Sequence, residues 1–437
     1  MLAETDQTKL LGRGASEGAR LFRDWFAEVS GAKQAGRKTA YVFVMASLAE
    51  LLRAFDFNVS FPEINALQAA IRRAELDYLV KAEDYGYSAD ICGYVRIDVG
   101  LQLRGGEHPM GCIPKPDLIV ASNTCNTYIK WAEIWERMNA APLFTLDLPG
   151  WRTGDALQMR SDASFEIDCR YVEAQLRELI ELCGQVSGRK FDIDRLRNSL
   201  AETNRMSAAW RRILKLNSHV PAPFNALGDG TIYLGVINAL RGDPRGTRYL
   251  EELTEELSYK AAHGIATIER EKHRLVYVGL PCYPIFRRFL EMFTKWGAVF
   301  VASTYLGAPS GGFHVDFEYD LDRPVESLAE GLLRTVIRGG VGEYFFIDRL
   351  IPQAVERLHA DGVVFHAMKS CRTASTGLAD ARLAVTEAYG IPSLYIESDL
   401  VDRRVVSEAQ LQGRIDAFFE ALNARKLRGG AASTVAP

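Results

Sequence analysis

Cysteine is the residue type in this chain best suited to soft-metal or redox chemistry, and the seven cysteines differ sharply in context. Cys125 follows the apolar run "DLIVAS" and opens the aromatic, acidic stretch "CNTYIKWAEIWERM". Cys282 closes "HRLVYVGLPC" and Cys371 closes "GVVFHAMKSC". Each of those apolar runs reads as a strand, so three thiols fall at strand ends. In an open parallel sheet, ligands bind in the crevice outside the carboxyl ends of the strands. Cys92, in "YSADICGYVRID", lies in a loop-like stretch before a glycine, within reach of the same crevice. Cys169 and Cys183 flank a long helical stretch and Cys112 sits in "HPMGCIPKP". These last three read as packing or loop residues, because a free cysteine behaves as a small apolar side chain. Each of Cys92, Cys125, Cys282 and Cys371 taken alone has the same simple reading, a buried thiol at a strand end. Taken together, thiolates arriving from both halves of the chain make a soft-ligand site suited to zinc or an iron–sulfur cluster. No CxxC pair is present, so spacing does not name the metal.

Other chemistry is weaker. "GAKQAGRKT" (31–39) departs from a P-loop, because Arg37 intrudes before Lys38 and the segment precedes a strand where a P-loop follows one. "GGVGEY" and "GAPSGGF" lack GxGxxG and read as turns. The seven histidines show no HExxH or paired spacing, and His366, inside "VVFHAMKSC", reads as a core histidine. Glu397 and Asp399, in "YIESDLVD", stand at a strand end, where general acid–base work and a cap or ion pair explain them equally.

The elements that must position these residues follow from the patterning. The 437 residues, 48% hydrophobic and 25% charged, describe a soluble globular protein of two or three domains. Fifty-two basic against 56 acidic residues leave a formal net charge of −4, which gives no electrostatic reason to expect a nucleic acid partner. No apolar run reaches the roughly 18 residues of a membrane span and the amino terminus lacks signal-peptide features, so the expectation is a cytoplasmic protein with reduced cysteines and no membrane association. Residues 1–37 read as a polar helical arm ending in "SGAKQAGRK". Residues 38–270 read as a first α/β unit, with strands "AYVFVMAS", "PDLIVAS" and "APLFTLDLP" and a charged helical section over about 160–270, where Asp192 and Asp194 mark a helix start. Residues 271–437 read as a second α/β unit, with strands "HRLVYVGLPC", "AVFVAST", "GVVFHAMKSC" and "PSLYIES" before a closing helix. Alternating strands and helices indicate parallel layers. The expected fold is two Rossmann- or flavodoxin-like parallel-sheet units with an additional helical section.

Three segments, "DICGYVRID", "SNTCNTYIKWAE" and "FHAMKSCRTAS", together resemble the large subunits of the benzoyl-CoA reductase and 2-hydroxyacyl-CoA dehydratase family. In that family the corresponding cysteines hold a 4Fe–4S cluster between two α/β units. The resemblance runs from about residue 38 to 425 and includes "IESDLVD" and "RIDAFFEAL". Within the family, "FPEINALQ", "VSGRKFDIDRLR" and "GAVFVASTY" look more like the B subunit of the ATP-dependent (class I) benzoyl-CoA reductases than like a dehydratase subunit. The sequence departs from the family in "MASLAELL", which lacks the proline often found before the Glu-Leu pair.

The resemblance implies that Cys92, Cys125 and Cys371 bind the 4Fe–4S cluster, or a larger or bridged iron–sulfur cluster, and it gives no reason to include Cys282 or Cys112. Three protein ligands would leave one iron open. The implied reaction is one-electron-at-a-time reduction of an aromatic acyl-CoA such as benzoyl-CoA to a cyclic dienoyl-CoA. Because the chain has no P-loop, ATP would be hydrolysed only on partner iron–sulfur activator subunits fed by ferredoxin, with a paralogous large subunit alongside, in an anaerobic setting. The rivals are a dehydratase subunit that eliminates water from a 2-hydroxyacyl-CoA, and a non-catalytic electron-relay partner. Lys369 and Arg372 flank Cys371, and Arg287, Arg288 and Arg338 are among the basic residues that could meet CoA phosphates. No residue is assigned as proton donor.

Overall fold

The computed structural model describes residues 11–150, 162–341 and 347–432. The apolar runs form two four-stranded sheets, parallel throughout. In the first, β1 (Thr39–Val42), β2 (Asn58–Ser60), β5 (Leu118–Ser122) and β6 (Leu143–Leu146) lie in the order β2-β1-β5-β6. A small antiparallel hairpin, β3 (Glu107–His108) and β4 (Gly111–Cys112), stands apart. In the second sheet, β7 (His273–Val278), β8 (Ala298–Ser303), β9 (Gly362–Met368) and β10 (Ser393–Ser398) lie in the order β10-β9-β7-β8. Numbered within its own unit, the first sheet has the order 2-1-3-4, which opens the flavodoxin-like doubly wound arrangement, and the second, read from its other edge, has the order 2-1-3-4 as well. The central strands are buried along their whole length, as in β5 and β9. That is why they read as continuous apolar runs rather than as alternations.

The helices are α1 (Arg13–Ser30), α2 (Ala49–Ala54), α3 (Pro62–Ile71), α4 (Glu75–Asp84), α5 (Gly93–Leu103) and α6 (Asn126–Asn139), then α7 (Asp162–Ser187), α8 (Ile193–Leu216), α9 (Gly228–Ala239) and α10 (Pro244–Ala262). Asp192 caps α8 by accepting from the backbone N–H groups of Asp194 and Arg195, as its position at a predicted helix start requires. Asp243 caps α10 in the same way, with Pro244 at the first helical position. Helices α8 and α10 pack together, and α1 packs on α9 and α10. The second unit adds α11 (Phe286–Thr294), α12 (Pro324–Gly331), a π-helical stretch (Leu332–Val341), α13 (Ile347–Leu358), α14 (Arg372–Ser375), α15 (Leu378–Tyr389) and α16 (Glu408–Ala432). The glycine-rich "GAPSGGF" forms tight turns, whereas "GGVGEY" lies partly outside the described residues.

One buried apolar cluster runs from Leu21 of α1 to Leu422 of α16 and includes strands of both sheets. Two buried arginines also join the parts. Arg241, after α9, donates through Nε to Glu50 Oε1 of α2 at 2.6 Å and through Nη1 to the carbonyls of Ser310 and Gly311 in the second unit. Thr203 of α8 donates to the same Glu50 oxygen. On the other side, Arg96 of α5 bridges Glu83 at 2.8 Å and Asp402 at 3.2 Å, again spanning the two units. Among the described residues no helix is long and apolar enough to cross a membrane.

Candidate functional site

The carboxyl ends of both sheets open on one cavity of about 160 Å³. The first unit contributes Val44 and Met45 beyond β1, Glu63 beyond β2, and Thr124 and Cys125 beyond β5. The second contributes Leu280 beyond β7, Tyr305 beyond β8, Cys371 and Thr373 beyond β9, and Leu400 beyond β10. Cys92 and Tyr94 enter at the start of α5, while Phe22 of α1 and Leu234 of α9 close the remaining wall. Cys92, Cys125 and Cys371 therefore line the same cavity, two from one unit and one from the other.

Each of these three cysteines is the N-cap residue of a helix: Cys92 of α5, Cys125 of α6 and Cys371 of α14. Backbone N–H groups therefore face the sulfurs, from Tyr94 and Val95 at Cys92, from Thr127 at Cys125 and from Ala374 at Cys371. Those donors favour a thiolate, but burial outweighs them. It pushes the Cys92 thiol far above its ordinary range, raises Cys125, and pushes Cys371 up to about 11. The thiols also oppose one another's ionisation, since Cys371 and Cys125 raise Cys92 and Cys125 raises Cys371. Three sulfurs facing amide donors in an apolar cavity form a donor set that would shed its protons to a soft cationic group. Among the described residues no three His, Cys, Asp or Glu side chains converge closely enough to hold a single metal ion. A soft donor set without imidazole or paired carboxylates fits an iron–sulfur group better than a hard cation.

Glu63 is the cavity residue that sequence reasoning missed. Its carboxylate accepts from the Val44 N–H and from Tyr128 Oη, both at 2.7 Å, and burial raises its pKa to about 7 against those two donors. In "SFPEINALQ" it follows a proline at the first helical position, so it reads as an ordinary acidic residue in a helix's first turn. Tyr128 is held by stacking on Phe43, with ring centroids 3.7 Å apart.

The supports behind the cysteines are specific. Asp98 of α5 accepts from the indoles of Trp131 (2.7 Å) and Trp135 (2.5 Å) of α6, tying together the two helices that Cys92 and Cys125 cap. Burial raises the Asp98 pKa to about 6, opposed by those indole bonds. Asp399 accepts from the N–H groups of Ser370, Val401 and Asp402, at 3.0, 3.0 and 2.9 Å, and so holds the turn that carries Cys371. Asp399 is thus a structural acceptor, and Glu397 pairs with Lys369 at 3.2 Å in a half-exposed contact. Arg372 is exposed, as are Arg287 and Arg288 at the start of α11, and none of them lines the cavity. The Arg338 side chain lies outside the described residues.

Cys282, although it follows β7, does not line the cavity. It is fully buried beside Ser398, whose hydroxyl lies 3.5 Å from the sulfur and 2.6 Å from His366 Nε2. His366 also approaches Tyr277 Oη and the Leu280 carbonyl, and burial lowers its pKa to about 4, which matches a neutral core histidine. Cys169 and Cys183 both lie within α7, and Cys112 is exposed in the hairpin.

Two parallel α/β units thus open their strand ends on one shared thiol-lined cavity. A family model described as 2-hydroxyglutaryl-CoA dehydratase, D-component, matches residues 46–422, and the chain belongs to that family. It is 31% identical over 418 residues to the B subunit of benzoyl-CoA reductase from Thauera aromatica, covering 92% of each chain. It is 28% identical over 415 residues to the alpha subunit of (R)-2-hydroxyisocaproyl-CoA dehydratase from Clostridioides difficile, covering 93% of this chain and 95% of that one. It is 24% identical over 495 residues to the alpha subunit of (R)-2-hydroxyglutaryl-CoA dehydratase from Acidaminococcus fermentans, covering 95% and 99%. The family assignment read from the cysteine contexts is therefore correct.

Proposed function

We propose that this chain is a catalytic-half subunit of an ATP-dependent, dearomatising benzoyl-CoA reductase of the cytoplasm. The observation that carries the reading is the placement of Cys92, Cys125 and Cys371 around one apolar, aromatic-walled cavity that also holds Glu63. The higher identity to a benzoyl-CoA reductase subunit than to the dehydratase subunits supports the choice within the family. In this reading residues 38–270 and 271–437 act as two halves of the site, and α1 (Arg13–Ser30) closes one wall of it through Phe22. A paralogous large subunit completes the catalytic half, and separate ATP-hydrolysing iron–sulfur subunits deliver electrons from ferredoxin.

A 4Fe–4S cluster held by Cys92, Cys125 and Cys371 would supply low-potential single electrons and an iron with an open position. The chain's own residues do the rest. Phe22, Tyr128, Trp131 and Tyr305 present flat apolar faces that suit an aromatic acyl group, and with Met45 and Leu400 they exclude water. Exclusion of water protects a reduced ring from stray protonation and strengthens every polar contact made to it. Glu63 carries a proton on its carboxyl group up to neutral pH, with Tyr128 and the Val44 amide fixing its orientation. Ring reduction consumes two electrons and two protons, and Glu63 is the group in this wall placed to hand over one of those protons.

The second reading is a dehydratase subunit, favoured by the family description and by the dehydratase relatives. The same cavity would then hold a 2-hydroxyacyl thioester, and Glu63 would take a proton rather than give one. The complex, purified anaerobically with its partner subunits, is given reduced donor and ATP with benzoyl-CoA or a 2-hydroxyacyl-CoA. The reductase reading expects two electrons consumed per benzoyl-CoA converted. Water loss from the hydroxyacyl thioester after a catalytic amount of donor would replace it with the dehydratase reading, and turnover of neither would leave a relay role.

A further inference from the structure

Tyr305 faces the cavity from the turn beyond β8, and its backbone is fixed by its own N–H donating to Ser303 Oγ at 3.2 Å. Behind it lies Tyr283, 1% exposed, which donates from Oη to Tyr305 Oη at 2.5 Å. The Tyr283 backbone N–H is in turn bonded to the Leu400 carbonyl, so this ring is anchored as well. Tyr94 also lines the cavity, with its ring centroid 6.4 Å from that of Tyr283.

With the Tyr283 proton donated to Tyr305 Oη, the Tyr305 hydroxyl keeps its own proton, and among the described residues no protein acceptor for it is found. A donor left in an apolar wall without an acceptor favours a ligand that supplies one. Glu63 is not waiting for the Tyr305 proton, because its two oxygens already accept from Val44 and Tyr128. Two other polar side chains of the wall are committed inside the protein, Trp131 to Asp98 and the Asn238 amide to the Leu234 and Pro309 carbonyls. The Tyr305 hydroxyl is thus an oriented donor aimed into an apolar space.

We infer that Tyr305 donates a hydrogen bond to the carbonyl oxygen of the acyl thioester bound in this cavity, with Tyr283 holding the phenol in the donating orientation. The inference rests on the acyl-CoA reading above, and holds for either acyl group, since both thioesters carry the same carbonyl. A donor in a dry site stabilises a carbonyl oxygen most when charge accumulates on it, as it does when the acyl group is reduced. Its removal should therefore lower kcat more than it raises KM. Tyr305 is the substrate-contacting donor and Tyr283 the positioning residue.

The test is the carbonyl stretch of benzoyl-CoA labelled with carbon-13 at the thioester carbonyl, recorded by infrared difference spectroscopy. The sample is the assembled anaerobic complex without reductant. We expect the bound band at lower frequency than in free benzoyl-CoA, and Tyr305→Phe, which keeps the ring, should return it toward the free position. Tyr283→Phe should give an intermediate band, because the Tyr305 phenol then lacks the donor that orients it. In turnover, Tyr305→Phe should lower kcat by about 10²-fold with a much smaller change in KM. A complex that binds labelled benzoyl-CoA with the same band in wild type and Tyr305→Phe overturns the inference alone. If wild type turns over only a 2-hydroxyacyl-CoA, the reductase reading fails and the band test is decided on that labelled thioester. Binding of neither thioester overturns both.

Discussion

The two α/β units share one strand order yet use their strand ends differently. Cys125 follows β5 and Cys371 follows β9, the third strand of each unit, and each caps the next helix at the shared cavity. The first strands break the symmetry. Beyond β1 the chain lines the cavity with Val44 and Met45, whereas beyond β7 it lines it with Leu280 and then turns Cys282 inward to Ser398. Cys92 has no counterpart in the second unit, because it comes from the excursion between β2 and β5 that carries α3 to α5. The lesson is that a doubly wound sheet supplies a crevice at its switch point, while the loops decide which side chains enter it.

The sharpest way to break this comparison is to remove the thiols at the equivalent positions. Cys125→Ala and Cys371→Ala should each lose bound iron and all activity, measured as iron and sulfide per chain in anaerobic preparations. Retention of full iron by either variant would end the symmetric picture. Next in size is the tie between the units. Arg241→Met leaves Glu50 buried without its cation, and losing one partner of a buried pair destabilises by about 3–5 kcal/mol. Urea unfolding of the variant should show that drop, and a change below about 1 kcal/mol would mean that this pair does not help hold the units together.

A pH experiment sharpens the contrast between the units, because the first brings the carboxyl group of Glu63 into the cavity wall. The folded-state pKa of Glu63 is raised from its ordinary 4.5 to about 7. The stability associated with its neutral form is therefore fully present below the lower value and lost as pH rises through the higher one. Metal-free wild-type protein should lose stability across that window, and Glu63→Gln should flatten the loss in urea midpoints taken at successive pH values. An unchanged slope would remove Glu63 as the titrating group of the wall. The smallest effect is expected from Cys282→Ala, which trims one sulfur from the core of the second unit. It should lower stability by about 1 kcal/mol and leave bound iron unchanged. Loss of iron there would return Cys282 to the ligand set.

Much of this molecule is legible in the sequence because its cues are local. Seven of the eight strands of the two sheets coincide with apolar runs, and the caps at Asp192 and Asp243 obey the chemistry of helix starts. Strand β2 was not legible, since "NVS" is three residues long and too short to carry a period. The hairpin β3–β4 was missed for the same reason.

Sequence alone determined the parallel α/β character and, through the contexts of Cys92, Cys125 and Cys371, the family. Both are written in short stretches whose patterning is set by burial and by the residues beside each sulfur. Tertiary structure alone decided that Cys282 turns away, that Glu63 and Tyr305 line one cavity, and that Asp98 and Asp399 brace the turns behind the thiols. Those outcomes depend on which loops meet when two sheets pack, and contacts between residues tens to hundreds of positions apart leave no periodic trace in the chain.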